Sequence, residues 1–168
     1  SRPEVAAPQR RRVFTSAVSA SDYRDRGRPS SWSATVDRLA ADSDGAGAFP
    51  RLIVLAAGNT REQFAWMNYP ASLSTNLIHD PGQAWNAITV GAYTDKIETE
   101  TVGVSAIAVG GGLSPFTTTS RTWGSAWPLK PDVVFEGGNV GKDAFGAAGM
   151  PSLNLLTTHH RPHDRLFI

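Results

Sequence analysis

The chain has 168 residues, 40% of them hydrophobic and 18% charged, with no Cys and a formal net charge of +1. The apolar content is enough for one core of single-domain size, and no apolar run approaches the roughly 18 residues a membrane span needs. Lack of Cys excludes a disulfide scaffold, Cys-ligated zinc and a thiol nucleophile, and the near-balanced charge argues against a general nucleic-acid binder.

Residues 1–28 hold seven Arg (Arg2, Arg10, Arg11, Arg12, Arg24, Arg26, Arg28) against Glu4, Asp22 and Asp25, a local excess of four positive charges. A solvated face with Arg–Asp pairs is the plain reading; nucleic-acid contact is the weaker alternative, and no nucleic-acid partner is expected. The chain opens on Ser1 with no apolar leader after it, so an excised piece of a longer protein is expected. Residues 13–18 (Val-Phe-Thr-Ser-Ala-Val) are β-prone and long enough for one buried strand. A charged loop over 22–31, with Gly27 and Pro29, follows. After a Ser N-cap, Trp32, Val36, Leu39 and Ala40 recur at helical spacing with Asp37 and Arg38 facing away, which predicts a helix over 31–41. Gly45, Gly47 and Pro50 mark the loop that ends it.

Residues 52–57 (Leu-Ile-Val-Leu-Ala-Ala) are apolar without alternation, the pattern of a strand covered on both faces in a parallel sheet, and Gly58-Asn59 stops it. A second such strand, 87–92, follows a Pro/Gly/His loop at 78–83. This order of strand, helix, strand, loop and strand is that of βαβ units and favours α/β architecture over a sandwich or bundle. Residues 102–109 are again β-prone, Gly110-Gly111-Gly112 reads as a flexible connection, and 115–125 is rich in Thr and Ser. A short strand at 132–135 closes at Gly137-Gly138, and 139–168 reads as an irregular tail.

Ligands of open α/β sheets bind at the carboxyl ends of the strands, which singles out Asn59. Its amide can donate to a developing oxyanion, while Ala56, Ala57 and Gly58 carry no side chain large enough to block a substrate backbone. Taken alone, Gly-Asn fits an ordinary turn better than a catalytic donor. The neighbouring blocks shift that balance. Leu55-Ala56-Ala57-Gly58-Asn59, then Pro81 with Asn86-Ala87-Ile88-Thr89-Val90-Gly91-Ala92, then Ser114-Pro115-Phe116 with Ser120-Arg121, then Lys130-Pro131-Asp132-Val133-Val134 form an ordered series. Over residues 13–138 that series resembles the subtilisin-like (S8) serine peptidases.

The resemblance implies a three-layer α/β fold with a mostly parallel sheet, incomplete at both ends, and a single partial peptidase domain over 1–168. It implies Asn59 as the oxyanion-hole donor and Ala56, Ala57 and Gly58 as one wall of the S1 pocket. The other wall would be Ala17, Val18, Ser19 and Ala20, pairing with an extended substrate; a plain core strand is an equal reading of that stretch. Two blocks depart from the family. Phe135-Glu136-Gly137 stands where the family has Ala-Pro-Gly, and Thr122-Trp123-Gly124 loosens Arg-Gly-Pro. The family also uses an Asp and a His ahead of the Asn and a Ser well after it. No His precedes Asn59, no Gly-Thr-Ser-x-Ala block follows, and Gly124-Ser125-Ala126 lies on the wrong side of Lys130-Pro131-Asp132.

The expectation is therefore the central segment of a serine endopeptidase, inactive alone, acting on peptide or protein substrates with no cofactor and no metal. The alternative is a non-catalytic α/β module that binds peptides or proteins. Exposed sheet edges would allow self-association. A soluble protein, cytoplasmic or secreted, without a membrane partner is expected. Three further features read as structure rather than chemistry. His159-His160-Arg161-Pro162-His163-Asp164 reads as a surface loop, not a metal site. His79-Asp80 also reads as loop, because adjacent side chains point apart and rarely share a proton. The five Trp share no helical face and read as core or cleft-lining bulk.

Overall fold

The computed structural model describes residues 5–7, 10–20, 27–45 and 47–156. The histidines of 159–164, the loop at 21–26, and Arg2, Arg24 and Arg26 lie outside them. The main sheet contains β1 (Val13–Ser16), β2 (Leu52–Ala56), β3 (Ile88–Thr94), β5 (Gly112–Leu113) and β6 (Val133–Glu136). β1, β2, β3 and β6 run parallel in that spatial order; only β5 is antiparallel, against the end of β3. A smaller antiparallel sheet joins β4 (Ser105–Ala106), β7 (Val140–Lys142) and β8 (Ala147–Gly149). The mostly parallel α/β arrangement expected from the sequence is thus observed.

Helix α1 (Ser31–Ala41) has the predicted bounds. Its N-terminus is closed by a reciprocal cap: the Ser33 N–H donates to the Ser30 hydroxyl, and the Ser30 N–H donates to Ser33 Oγ, both at 2.9 Å. The buried stripe differs from the predicted one. Ser33, Val36 and Ala40 face the sheet, whereas Trp32 and Leu39 are exposed. Asp37 does not face away: its carboxylate accepts the Asn86 N–H at 2.6 Å, so the segment entering β3 is held by the helix. Val36 and Ala40 meet Ile53, Leu55, Ala84 and Ala87, with Phe14 alongside, as the core under one sheet face.

The opposite face corrects the expectation of a strand covered on both sides. β2 alternates, with Ile53 and Leu55 buried but Leu52 45% exposed. Register places Val13 beside Leu52, Val54 beside Ile88, Val90 beside Val133 and Ala92 beside Phe135. Val13, Leu52, Ile88, Val133 and Phe135 are all exposed, so among the described residues this face is apolar and bare. The continuous apolar run in the sequence is suited to two covered faces, and α1 supplies cover for one.

The second half is more ordered than its composition indicates. Of the β-prone stretch 102–109 only Ser105–Ala106 is a strand, and it belongs to the small sheet. Gly110-Gly111-Gly112 is a closed turn rather than a loose connection: Gly111 N–H donates to Thr94 O, Gly112 N–H to Val109 O, and Gly112 enters β5. The tail read as irregular forms the β7–β8 hairpin and a 3-10 turn at Pro151–Leu153. Asn139, fully buried, organises it: its Oδ1 accepts from the Ala108 and Val140 N–H groups and its Nδ2 donates to the Lys96 and Ala108 carbonyls. A side-chain amide that uses all its capacity this way replaces ladder bonds that no periodicity reveals.

Two of the motif residues hold β6 in place. Lys130, buried, donates from Nζ to the Ala87 carbonyl at 2.8 Å and to Asp132 Oδ2 at 2.6 Å, and the same oxygen accepts the Thr89 N–H. Glu136, standing where the family has Pro, accepts N–H groups from Asp95 at 2.7 Å and Gly138 at 2.8 Å. Burial pushes the Glu136 carboxyl up, but these two N–H groups, the Thr94 hydroxyl and the Lys96 charge together hold it below the usual carboxylate range.

Two outcomes are expected in urea unfolding of the chain. Leu55→Ala should lower the unfolding free energy by about 2–5 kcal/mol, whereas Leu52→Ala on the bare face should lower it by less than about 1 kcal/mol. A depressed folded-state carboxyl stabilises above its unfolded pKa and loses that contribution as pH falls through the folded one. Glu136→Gln should therefore lower stability near neutral pH and reduce the loss of stability on acidification below about pH 4.5, read from unfolding midpoints between pH 7 and 3.

Candidate active site

The carboxyl end of β2 is fixed at a single peptide. Ala57 N–H donates to the Val90 carbonyl at 2.8 Å, continuing the parallel ladder one residue beyond β2. The Ala57 carbonyl then accepts twice, from the His79 N–H at 2.8 Å and from the Thr118 hydroxyl at 2.7 Å. Gly58 turns the chain out with φ of +117°, a conformation that L side chains rarely adopt. Space gives a second reason for glycine. A Cβ at Gly58 would clash with the His79 ring.

Past the turn, the chain is pinned again. Thr60 is buried, and its N–H donates to the Phe116 carbonyl at 2.9 Å. Helix α2 (Gln63–Met67) follows, and its Trp66 indole donates to the Thr60 carbonyl at 3.1 Å while its ring meets Phe116 edge-on, centroids 5.5 Å apart. Asn59 thus stands exposed between two anchored neighbours, and its side chain has no hydrogen bond among the described residues. The backbone on either side of Asn59 is fixed, so the point from which its side chain projects is set.

Asn59 lines a cavity of about 520 Å³ together with Ala17, Ser19, Ala56, Gly58, Thr60, Arg61, Glu62, Asn76 and His79. Of the residues singled out in the sequence, Ala17, Ser19, Ala56, Gly58 and Asn59 therefore come together around one space. Ala57, Val18 and Ala20 are not among its lining residues. Ala57 is buried behind Gly58. Ala20 is occupied: it exchanges both backbone hydrogen bonds with Asp80, at 2.8 and 3.0 Å. Val18 is 67% exposed.

His79 is the cavity residue that the sequence reading set aside. As expected for neighbours in sequence, His79 and Asp80 do point to different partners. The Asp80 carboxylate accepts the Ser30 hydroxyl at the cap of α1, at 2.7 Å, whereas His79 Nδ1 lies 3.2 Å from Ser19 Oγ inside the cavity. No local signal in the sequence marks it: His79 reaches the carboxyl edge of β2 through the bond from its backbone N–H to Ala57 O. Ser114, at the start of the third motif block, is fully buried with its hydroxyl donating to the Gly138 carbonyl, so that block serves packing. Among the described residues no group of three or more His, Cys, Asp or Glu could hold a metal ion, and no helix is long and apolar enough to cross a membrane.

The fold and the edge cavity define a class. The family model of the subtilases, peptidase family S8, matches residues 3–168, and the chain belongs to that family. It is also 30% identical over 161 residues to an uncharacterized protein, y4bN, of Sinorhizobium fredii (strain NBRC 101917 / NGR234), an alignment covering 85% of this chain and 36% of that protein. The chain therefore spans just over a third of the relative's length.

Proposed function

We propose that this chain is the central part of a serine endopeptidase that hydrolyses peptide or protein substrates by acyl transfer, with Asn59 donating to the oxyanion of the tetrahedral intermediate. The observation that carries the reading is Asn59 itself: an exposed side-chain amide, held between the anchored residues Ala57 and Thr60, facing a cavity at the carboxyl edge of a parallel sheet. The Asp, His and Ser of the triad are supplied by parts of the whole protein outside these 168 residues. Ala56 and Gly58 form one side of the cleft, and Ala17 and Ser19 the other. The bare face of the sheet fits the same reading, being the surface on which the remaining layer of the domain would pack.

In the whole protein, Asn59→Ala is expected to lower kcat by about 10²–10³-fold with little change in KM, a magnitude taken from subtilisin, itself a member of this family. The chain by itself should neither hydrolyse a general peptide substrate nor be labelled by a serine-directed phosphonate. Labelling at Ser125 would overturn the assignment of the nucleophile to another part of the protein. With its apolar face uncovered, the isolated chain should also self-associate. Sedimentation velocity should show an average mass that rises with concentration, and Phe135→Lys should reduce that rise.

A further inference from the structure

The Thr/Ser-rich run of the sequence lies across the back of the turn that carries Asn59. Thr117, Thr118 and Thr119 are all buried, and each uses its hydroxyl on a different part of the fold. Thr117 Oγ1 accepts the Ala92 N–H of β3 at 3.0 Å, and the Thr119 hydroxyl donates to the Leu73 carbonyl at 2.6 Å. Backbone bonds fasten the run further: Thr119 N–H donates to Asn76 O, and Ile78 N–H donates to Thr119 O. Its place is therefore set by β3 and by residues 73–78, independently of Asn59. From this fixed run two bonds reach the turn, one on each side of Gly58 and Asn59. The Thr118 hydroxyl donates to Ala57 O at 2.7 Å, and the Phe116 carbonyl accepts the Thr60 N–H at 2.9 Å.

We infer that Thr118 is a positioning residue for the proposed oxyanion donor, acting on Asn59 through the Ala57 carbonyl. This deepens the peptidase reading and rests on it. Thr118 has no exposed surface, so it meets no substrate itself. The bond from Thr60 to Phe116 is made by backbone and survives a change of side chain, whereas the bond to Ala57 O is lost with the Thr118 hydroxyl. Gly58 adds little stiffness of its own, because glycine is the residue with the widest choice of backbone conformation. With the hydroxyl gone, Ala57 O keeps the His79 N–H, and the peptide leading into Gly58 gains freedom to tilt about that bond. A tilt there moves the point from which the Asn59 side chain projects. Misplacing a reacting geometry by about 1 Å can cost about 10²-fold in rate. A donor to developing charge acts in the transition state rather than in the ground state, so the loss falls on kcat.

The test uses the whole protein, with kcat expressed per active site titrated by a serine-directed phosphonate, so that a loss of folded molecules does not register. Thr118→Val, which removes the hydroxyl at nearly constant shape, is expected to lower kcat by about 10-fold and to change KM by less than about 2-fold. Thr118→Ser, which restores a hydroxyl, should recover most of that loss. In an Asn59→Ala background, Thr118→Val should change kcat by less than about 2-fold, because the donor it acts through is already gone. An unchanged kcat in Thr118→Val, no recovery in Thr118→Ser, or an equal loss in the absence of Asn59 would overturn the inference while leaving the peptidase reading intact. If Thr118→Val yields no titratable protein, Thr118→Ala is read by the same criteria. Should the unmodified protein cleave no peptide, the peptidase reading fails, and amide hydrogen exchange over residues 57–60 of the whole protein decides whether Thr118 holds the turn. Faster exchange in Thr118→Val, reversed in Thr118→Ser, supports that role, and equal exchange overturns it.

Discussion

The carbonyl of Ala57 accepts two hydrogen bonds and the N–H of the same residue gives a third, and the cavity takes its shape from that concentration of bonds on one residue. Three separate pieces of chain meet there: β3 through Val90, the loop carrying His79, and the segment carrying Thr118. A backbone carbonyl in a parallel sheet ordinarily finds its partner on the next strand. At the last rung that partner is gone, and the loop and a threonine hydroxyl take its place. The consequence is local rigidity at a surface. Gly58 has no alternative path, Asn59 emerges at a fixed point, and His79 is brought against Gly58 by the very bond that its backbone gives to Ala57.

The same edge is tied to the rest of the domain through caps and loops. Ser30, which caps α1, also donates to Asp80, so the helix that covers the sheet and the loop that shapes the cavity share a residue. On the far side, the Lys130–Asp132 pair links β6 to both the Ala87 carbonyl and the Thr89 N–H, fixing the start of β3. Burying a lysine is costly unless its charge is met, and here a carboxylate and a carbonyl meet it. Side chains that read as family markers thus act mainly by setting strand register beneath the site.

The departure at Glu136 changes fastening, whereas the cavity is shaped by a residue outside the motif blocks. Glu136 replaces a proline and compensates with two backbone hydrogen bonds that hold the turns after β3 and β6 together, so the exchange alters how the sheet end is fastened. His79, which lies outside the motif blocks, places a hydrogen-bonding ring in the cavity beside Ser19. The bare sheet face belongs with neither. It reflects apolar strands whose composition suits cover on two sides, with α1 lying on one of them.

Much of the first half was legible in the sequence because its signals are local. Helix α1 is bounded by its own cap and spacing, β2 by a continuous apolar run, and Asn59 by lying where that run stops; each is decided by interactions within a few residues. The later strands were legible only in part, since β4, β7 and β8 are two or three residues long and exist through pairing, and the polar clamp of Asn139 that supports them joins residues more than thirty positions apart. Register and loop closure were likewise beyond local reading: they buried Ala57, committed Ala20 to Asp80, and placed His79 beside Ser19, sixty positions away. The sequence by itself determined that a polar amide would follow an apolar parallel strand. Which other side chains would share its cavity was decided by tertiary structure alone, because that depends on where long loops return to the sheet edge, and no short-range propensity encodes such a return.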